Sequence, residues 1–273
     1  MINTPLRRWF MSSVILLMWY VSACASKPSW VELNDKVTEF YQAGNFQDAA
    51  PLAEQALKVA EETFGIENPN VVQSLNSLAR IYESLGRDAE AEKYYLRTIG
   101  MAEKVLGPDH PDVAASMYNL ACFYDSRKRL PEGETLYLRT ISIWEKSLGP
   151  DHPELGTVLN NLALLYNSQA KFDIAESLYK RALGIWEKSL GPDDPAVAQT
   201  LNNMAVLYTT QRNYFEAEPL YQRALAIIEK AFGKDHPNTT VVLKNMVDFY
   251  RKIGRQDDAL SLEKHIQEIA AKK

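Results

Sequence analysis

The sequence predicts an all-α fold, a solenoid of about six helical hairpins, on three observations. A 42-residue unit is written twice in succession over residues 107–190, as GPDHPDVAASMYNLACFYDSRKRLPEGETLYLRTISIWEKSL and then GPDHPELGTVLNNLALLYNSQAKFDIAESLYKRALGIWEKSL. Its landmarks recur outside those copies: glycine at Gly65, Gly107, Gly149, Gly191 and Gly233, proline at Pro69, Pro111, Pro153, Pro195 and Pro237, tyrosine at Tyr82, Tyr124, Tyr166, Tyr208 and Tyr250. Within each unit the apolar residues keep helical spacing on two segments parted by a polar turn.

The first segment of a unit is carried by Val113, Met117, Leu120, Ala121 and Tyr124, the second by Leu136, Tyr137, Thr140, Ile141 and Trp144. Pro111 belongs in a first helical turn with Asp109 or His110 capping it, and Gly107 suits the left-handed residue that ends the preceding helix. Between the segments lies Ser126 to Arg129, repeated as Ser84–Arg87, Ser168–Lys171 and Thr210–Asn213. A turn that short makes the helices antiparallel. Small residues at Ala91, Gly133, Ala175, Ala217 and Ala259 let the paired backbones approach. Each hairpin keeps apolar surface that only its neighbour can cover, so the copies stack.

The first hairpin, about residues 30–64, is degenerate but keeps Phe40, Gly44 and Ala49 in register. The last, about 237–270, has Glu263 where others carry tyrosine, the polar substitution an exposed end requires.

The small-residue and aromatic pattern resembles the tetratricopeptide repeat. Its 42-residue form, seen in NNLALLYNSQAKFDIAESLYKRALGIWEKSLGPDDP at 160–195, is similar to the repeats of kinesin light chains. The resemblance covers residues 30 to about 270 and implies a right-handed superhelix whose first helices line a concave groove. It implies protein or peptide partners without naming one, because the fold hosts many.

On those first helices asparagine recurs in register at Asn119, Asn161, Asn203 and Asn245, with further copies at Asn76, Asn160 and Asn202. Mid-helix asparagine costs about 0.6 kcal/mol against alanine, so its recurrence needs a return. The amides either clamp the backbone of an extended peptide, as the resemblance implies, or bridge to the adjoining hairpin. Asn160 and Asn202 are expected to serve the groove. Lys244 and Arg251 make the late repeats basic, and an acidic side chain or chain-end carboxylate docking there is weighed against a solvated cap face. Arg97, Arg139, Arg181 and Arg223 on the second helices read as ion-pair partners of nearby glutamates.

Residues 1–23 read as an export signal: Arg7 and Arg8, an apolar run from Trp9 to Val21, then small residues. Val21-Ser22-Ala23-Cys24 resembles the lipobox of bacterial lipoproteins, which implies acylation of Cys24 and cleavage before it. Residues 24–29 then form a lipidated tether and 30–273 the solenoid. An uncleaved anchor is the alternative, since Trp9 to Ala25 sits at the lower limit of a bilayer-crossing helix. Ala25 after the cysteine implies an outer-membrane location facing the periplasm where the host has two membranes.

Removing residues 1–23, with two arginines and no acid, moves the net charge from −5 to −7. Such a surface leaves no footprint for nucleic acid. Cys122 is then without a disulfide partner. His110, His152 and His236 recur too far apart to share a metal, and the fourth copy holds Asp194 instead, which suits a cap. No P-loop, dinucleotide fingerprint, GxSxG or HExxH occurs, so neither cofactor nor catalytic constellation is expected. The reading is a membrane-anchored adaptor that binds a peptide or protein in envelope assembly. A glycan-binding or enzymatic envelope protein is the alternative, and self-association through the end hairpins is a third reading.

Overall fold

A computed structural model describes residues 28–271, so the export segment and Cys24 lie outside the described residues. Twelve α-helices and no strand occupy the described span. They are α1 Trp30–Gln42, α2 Phe46–Phe64, α3 Pro69–Ser84, α4 Asp88–Leu106, α5 Pro111–Ser126, α6 Leu130–Leu148, α7 Pro153–Ser168, α8 Phe172–Ser189, α9 Pro195–Thr210, α10 Tyr214–Phe232, α11 Thr239–Lys252 and α12 Gln256–Ala271. The chain divides into two compact units, the boundary falling between Ala91 and Glu92 inside α4.

Helix starts follow the sequence signals. Pro69, Pro111, Pro153 and Pro195 each occupy the first turn, where a missing N–H costs nothing. Before them Asn68, His110, His152 and Asp194 accept a bond from the backbone N–H two residues on. For His110 that contact runs from Asp112 N to Nδ1 at 3.1 Å, so the recurring histidine is a helix cap. The last copy departs from the pattern: α11 begins at Thr239, and Pro237 stays in the preceding turn. There the Thr239 hydroxyl donates to the Gly233 carbonyl at 3.1 Å and holds the loop closed.

Each hairpin turn has one residue of positive φ. It is glycine at Gly44, Gly86 and Gly254, but Lys128, Ala170 and Arg212 take the same position with φ of 61°, 58° and 61°. The three central turns therefore carry left-handed strain that glycine would relieve.

In the unit ending at Ala91, α1 packs against α2 and α2 against α3, around Leu33, Val37, Ala53, Leu57, Leu75 and Leu78, all buried. The unit beginning at Glu92 contains the rest of α4 and the hairpins α5/α6, α7/α8, α9/α10 and α11/α12. Gly133, Ala175, Ala217 and Ala259 lie buried at the crossings, and a Cβ added at Gly133 would stand 3.3 Å from the Ala121 carbonyl oxygen. That approach closes the hairpin.

Successive hairpins are joined by a repeated polar clasp. The hydroxyls of Tyr124, Tyr166 and Tyr208 donate to Glu92, Glu134 and Glu176 on the preceding second helix at 2.8, 2.9 and 2.8 Å. Tyr250 does the same to Glu218 at 3.3 Å, and Tyr82 to Glu54 within the first unit. Arg129 and Arg255 lie over their tyrosine rings at 4.2 and 4.5 Å from the centroid and also pair with Glu92 and Glu218, both at 2.7 Å. The position of these tyrosines is Phe40 in the first hairpin, and the position of these glutamates is Leu260 in the last. A second set of ion pairs, Arg139–Glu103, Arg181–Glu145 and Arg223–Glu187 at 2.8, 2.6 and 2.7 Å, connects consecutive second helices. These exposed pairs contribute about 0–1 kcal/mol each.

Candidate functional site: an amide row and two recesses

Within the second unit the first helices α5, α7, α9 and α11 lie beside one another. Their second helices are bridged by the long arginines just described and lack the close backbone approach that the first helices share. The hairpins therefore splay on the second-helix side, and α5, α7, α9 and α11 line the inner face.

The recurring asparagines run along this face as a hydrogen-bonded row. Asn161 donates to the Tyr118 hydroxyl at 2.8 Å, Asn203 to Asn160 Oδ1 at 3.1 Å, and Asn245 to Asn202 Oδ1 at 3.0 Å. On α7 and α9 one position accepts and the next donates to the hairpin before it, while α5 fills the accepting position with the Tyr118 hydroxyl and α11 contributes the donor Asn245. The bridge between hairpins is thus what repays the low helix propensity of Asn161, Asn203 and Asn245.

Asn160 and Asn202, expected to serve the groove, are only 5% exposed and spend their carbonyl oxygens on the next hairpin. Adjacent helical positions are about 100° apart, and in each Asn-Asn pair the earlier residue turns toward the interface. Asn160 still forms part of the wall of a recess between α7 and α9. Asn76 and Asn119 lie midway along α3 and α5, each half-buried.

That recess has a volume of about 330 Å³ and is walled by Tyr118, Thr157, Asn160, Asn161, Trp186 and Gln199, with Ala196 and Thr200 completing it. No acidic or basic side chain lines it. Its floor depends on Gly156, where an added Cβ would sit 2.5 Å from the Trp186 indole, so the ring rests directly on the α7 backbone. Trp144, one repeat earlier, is 4% exposed and donates its indole N–H to the Pro111 carbonyl at 3.1 Å. Trp186 is half-buried and makes no such bond among the described residues. The sequence showed both tryptophans in register, and the glycine opposite only one of them was the signal that they differ.

A second recess, about 500 Å³, lies on the terminal hairpin between α11 and α12 and is walled by Lys244, Val247, Asp248, Arg251, Glu263 and Ile266. Glu263, in the place of the usual tyrosine, pairs with Arg251. Of the two cations weighed as a docking place for an acidic group, Arg251 is thereby paired within the protein. Lys244 is exposed and makes no ion pair among the described residues.

Cys122 is inert by its surroundings. It is half-buried, its sulfur accepts from the Tyr137 hydroxyl at 3.4 Å, and burial pushes its thiol pKa up. Among the described residues no group of three or more His, Cys, Asp and Glu is placed to hold a metal ion, and no helix is long and apolar enough to cross a membrane.

Stacked antiparallel hairpins, closed by small residues and joined by polar clasps around an inner row of amides, define a helical-repeat scaffold. The chain belongs to the tetratricopeptide repeat family, whose model matches residues 39–104, 85–132, 123–188, 157–214 and 196–272. Proteins of this family bind protein partners. Solved structures of the same fold include BtubC (BKLC) from P. vanneervenii, with a TM-score of 0.69 at 22% identity over 88% of this chain and 91% of that one. A kinesin light chain candidate from Podosopora anserina with nearly identical TPR-like repeats gives 0.63 at 26% identity, over 73% and 95%. PilW, a type IV pilus biogenesis factor, gives 0.62 at 16% identity, over 86% and 91%. A search of curated proteins finds no match.

Proposed function

We propose that this protein is a membrane-tethered adaptor that holds an extended peptide segment or protein partner against α5, α7, α9 and α11. The observation that carries the reading is the inner face itself. Four first helices lie side by side, and a row of amides fixes their spacing, so they offer a partner one preset surface. The same face bears groups with no protein partner among the described residues, including the Gln199 amide and the Lys244 ammonium. They supply donors and an acceptor to a peptide backbone and a cation to an acidic side chain.

The tether rests on the sequence. Export by residues 1–23 and acylation of Cys24 would fix the solenoid to a membrane surface, with an outer-membrane, periplasm-facing position where two membranes exist. A role in envelope assembly accords with the likeness to PilW.

The reading is tested by affinity capture of the tagged, lipidated protein from its own membrane fraction, alongside Thr157→Arg combined with Lys244→Glu. Both positions lie on the inner face away from the clasps, so the variant should melt with the parent. Loss of a specific protein from the variant sample supports the groove. Retention of every partner sinks it and moves recognition to the outer face.

A further inference from the structure

The recess between α7 and α9 has a chemistry distinct from the rest of the inner face. It is uncharged, one wall is an indole, and three of its polar groups have no protein partner among the described residues: the Trp186 Nε1–H, the Thr157 hydroxyl and the Gln199 amide. The flat surface is built deliberately low, because only the missing side chain of Gly156 lets the indole settle against the helix. In the other first helices that register position is Trp30, Val72, Ala114, Ala198 and Thr240, each of which brings a Cβ. The volume of about 330 Å³ sits at the lower end of small-ligand sites, enough for one ring and its substituents.

We propose that this recess is a sugar subsite that takes one uncharged pyranose bearing an acetamido group. The apolar C–H face of such a ring packs on an indole, its hydroxyls both donate and accept, and an acetamido group pairs with a carboxamide in both directions. Trp186 supplies the flat apolar wall and an N–H donor, Gln199 the carboxamide, and Thr157 a hydroxyl that serves either way. The bond from Asn203 to Asn160 ties α9 to α7, and that from Asn161 to Tyr118 ties α7 to α5, so the wall is set before a ligand arrives. An acidic sugar is excluded, since its carboxylate would lose water with no cation in the lining to replace it.

The test is a titration of the ¹⁵N-labelled full chain with the trimer of N-acetylglucosamine, following the Trp186 indole N–H resonance assigned by its loss in Trp186→Phe. A saturable shift is expected, with affinity at least tenfold weaker in Gln199→Ala, an exposed position whose change leaves the fold alone, and no response to a galacturonate trimer. Trp186→Ala and Gly156→Ala should abolish binding, with melting curves recorded to separate loss of the wall from loss of the fold. An unmoved resonance at saturating sugar, or equal affinity in Gln199→Ala, overturns the assignment. So does movement caused only by an uncharged tripeptide such as acetyl-Gly-Gly-Gly-amide, which would make the recess part of the peptide path instead.

Discussion

Asn203 on α9 donates to the side-chain oxygen of Asn160 on α7 at 3.1 Å, and Asn160 is 5% exposed. The bond joins neighbouring hairpins where water has little access. Truncating Asn203 to alanine leaves a buried acceptor unpaired, and we expect a loss of about 1–3 kcal/mol in urea unfolding. In a double-mutant cycle with Asn160→Ala the pair should cost less than the sum of the single changes. Strict additivity would show that the two amides are independent.

The tyrosine clasps make stability fall in alkali. Burial, and then the facing glutamate, push the hydroxyls of Tyr124, Tyr166 and Tyr208 up to about 12. An unfolded tyrosine ionises near 10, so the stabilisation is fully present below about pH 10 and disappears as pH rises toward 12. On the acid side, the hydrogen bond from Arg129 holds Glu92 below the usual carboxylate range, and that contribution fades as pH drops below the unfolded value. Unfolding midpoints measured from pH 8 to 12 should decline, and the triple Tyr→Phe variant at 124, 166 and 208 should flatten the decline.

Ala170 occupies the left-handed position of its turn with φ of 58°, where Gly44, Gly86 and Gly254 stand in other copies. Ala170→Gly should therefore raise stability by about 0.5–1 kcal/mol, the relief of left-handed strain exceeding the entropy of a flexible residue. The same change at Ala196, inside α9, serves as the control and should destabilise.

Tyr179 is fully buried and its hydroxyl has no hydrogen-bond partner among the described residues. Its counterpart Tyr137 donates to Cys122 at 3.4 Å, and the Tyr221 hydroxyl accepts from Thr209 at 3.4 Å. Tyr179→Phe is expected to be neutral or to stabilise by up to about 1 kcal/mol, while Tyr221→Phe should destabilise. Thermal melts of the two variants side by side decide the point.

Cys24→Ser should release the protein from the membrane fraction and abolish incorporation of labelled palmitate in the native host. Continued membrane association of the serine variant would favour the uncleaved anchor over the acylated cysteine.

Much of this architecture was legible because one period governs several independent features. His110, Pro111 and Gly107 mark helix ends, and Gly133 marks a crossing, before any coordinates are known. The pairing of Tyr124 with Glu92 was also legible in principle, since both residue types recur at the same interval. What the sequence left open was direction. Asn160 and Asn161 are neighbours in one helix, and which of them reaches the hairpin before and which the hairpin after depends on how the helices cross. The difference between Trp144 and Trp186 was hidden for a similar reason, because it lies in the backbone 30 residues away at Gly156 and not in the tryptophans.

The clasp also has two missing halves. A first hairpin with Phe40 has no hydroxyl to donate, a last hairpin with Leu260 has no carboxylate to receive one, and Lys244 stands where Asn160 and Asn202 accept and can only donate. Laid head to tail, two molecules would find no grammar for continuing the row. A head-to-tail contact between two copies would therefore have to rest on groups other than this clasp and this row.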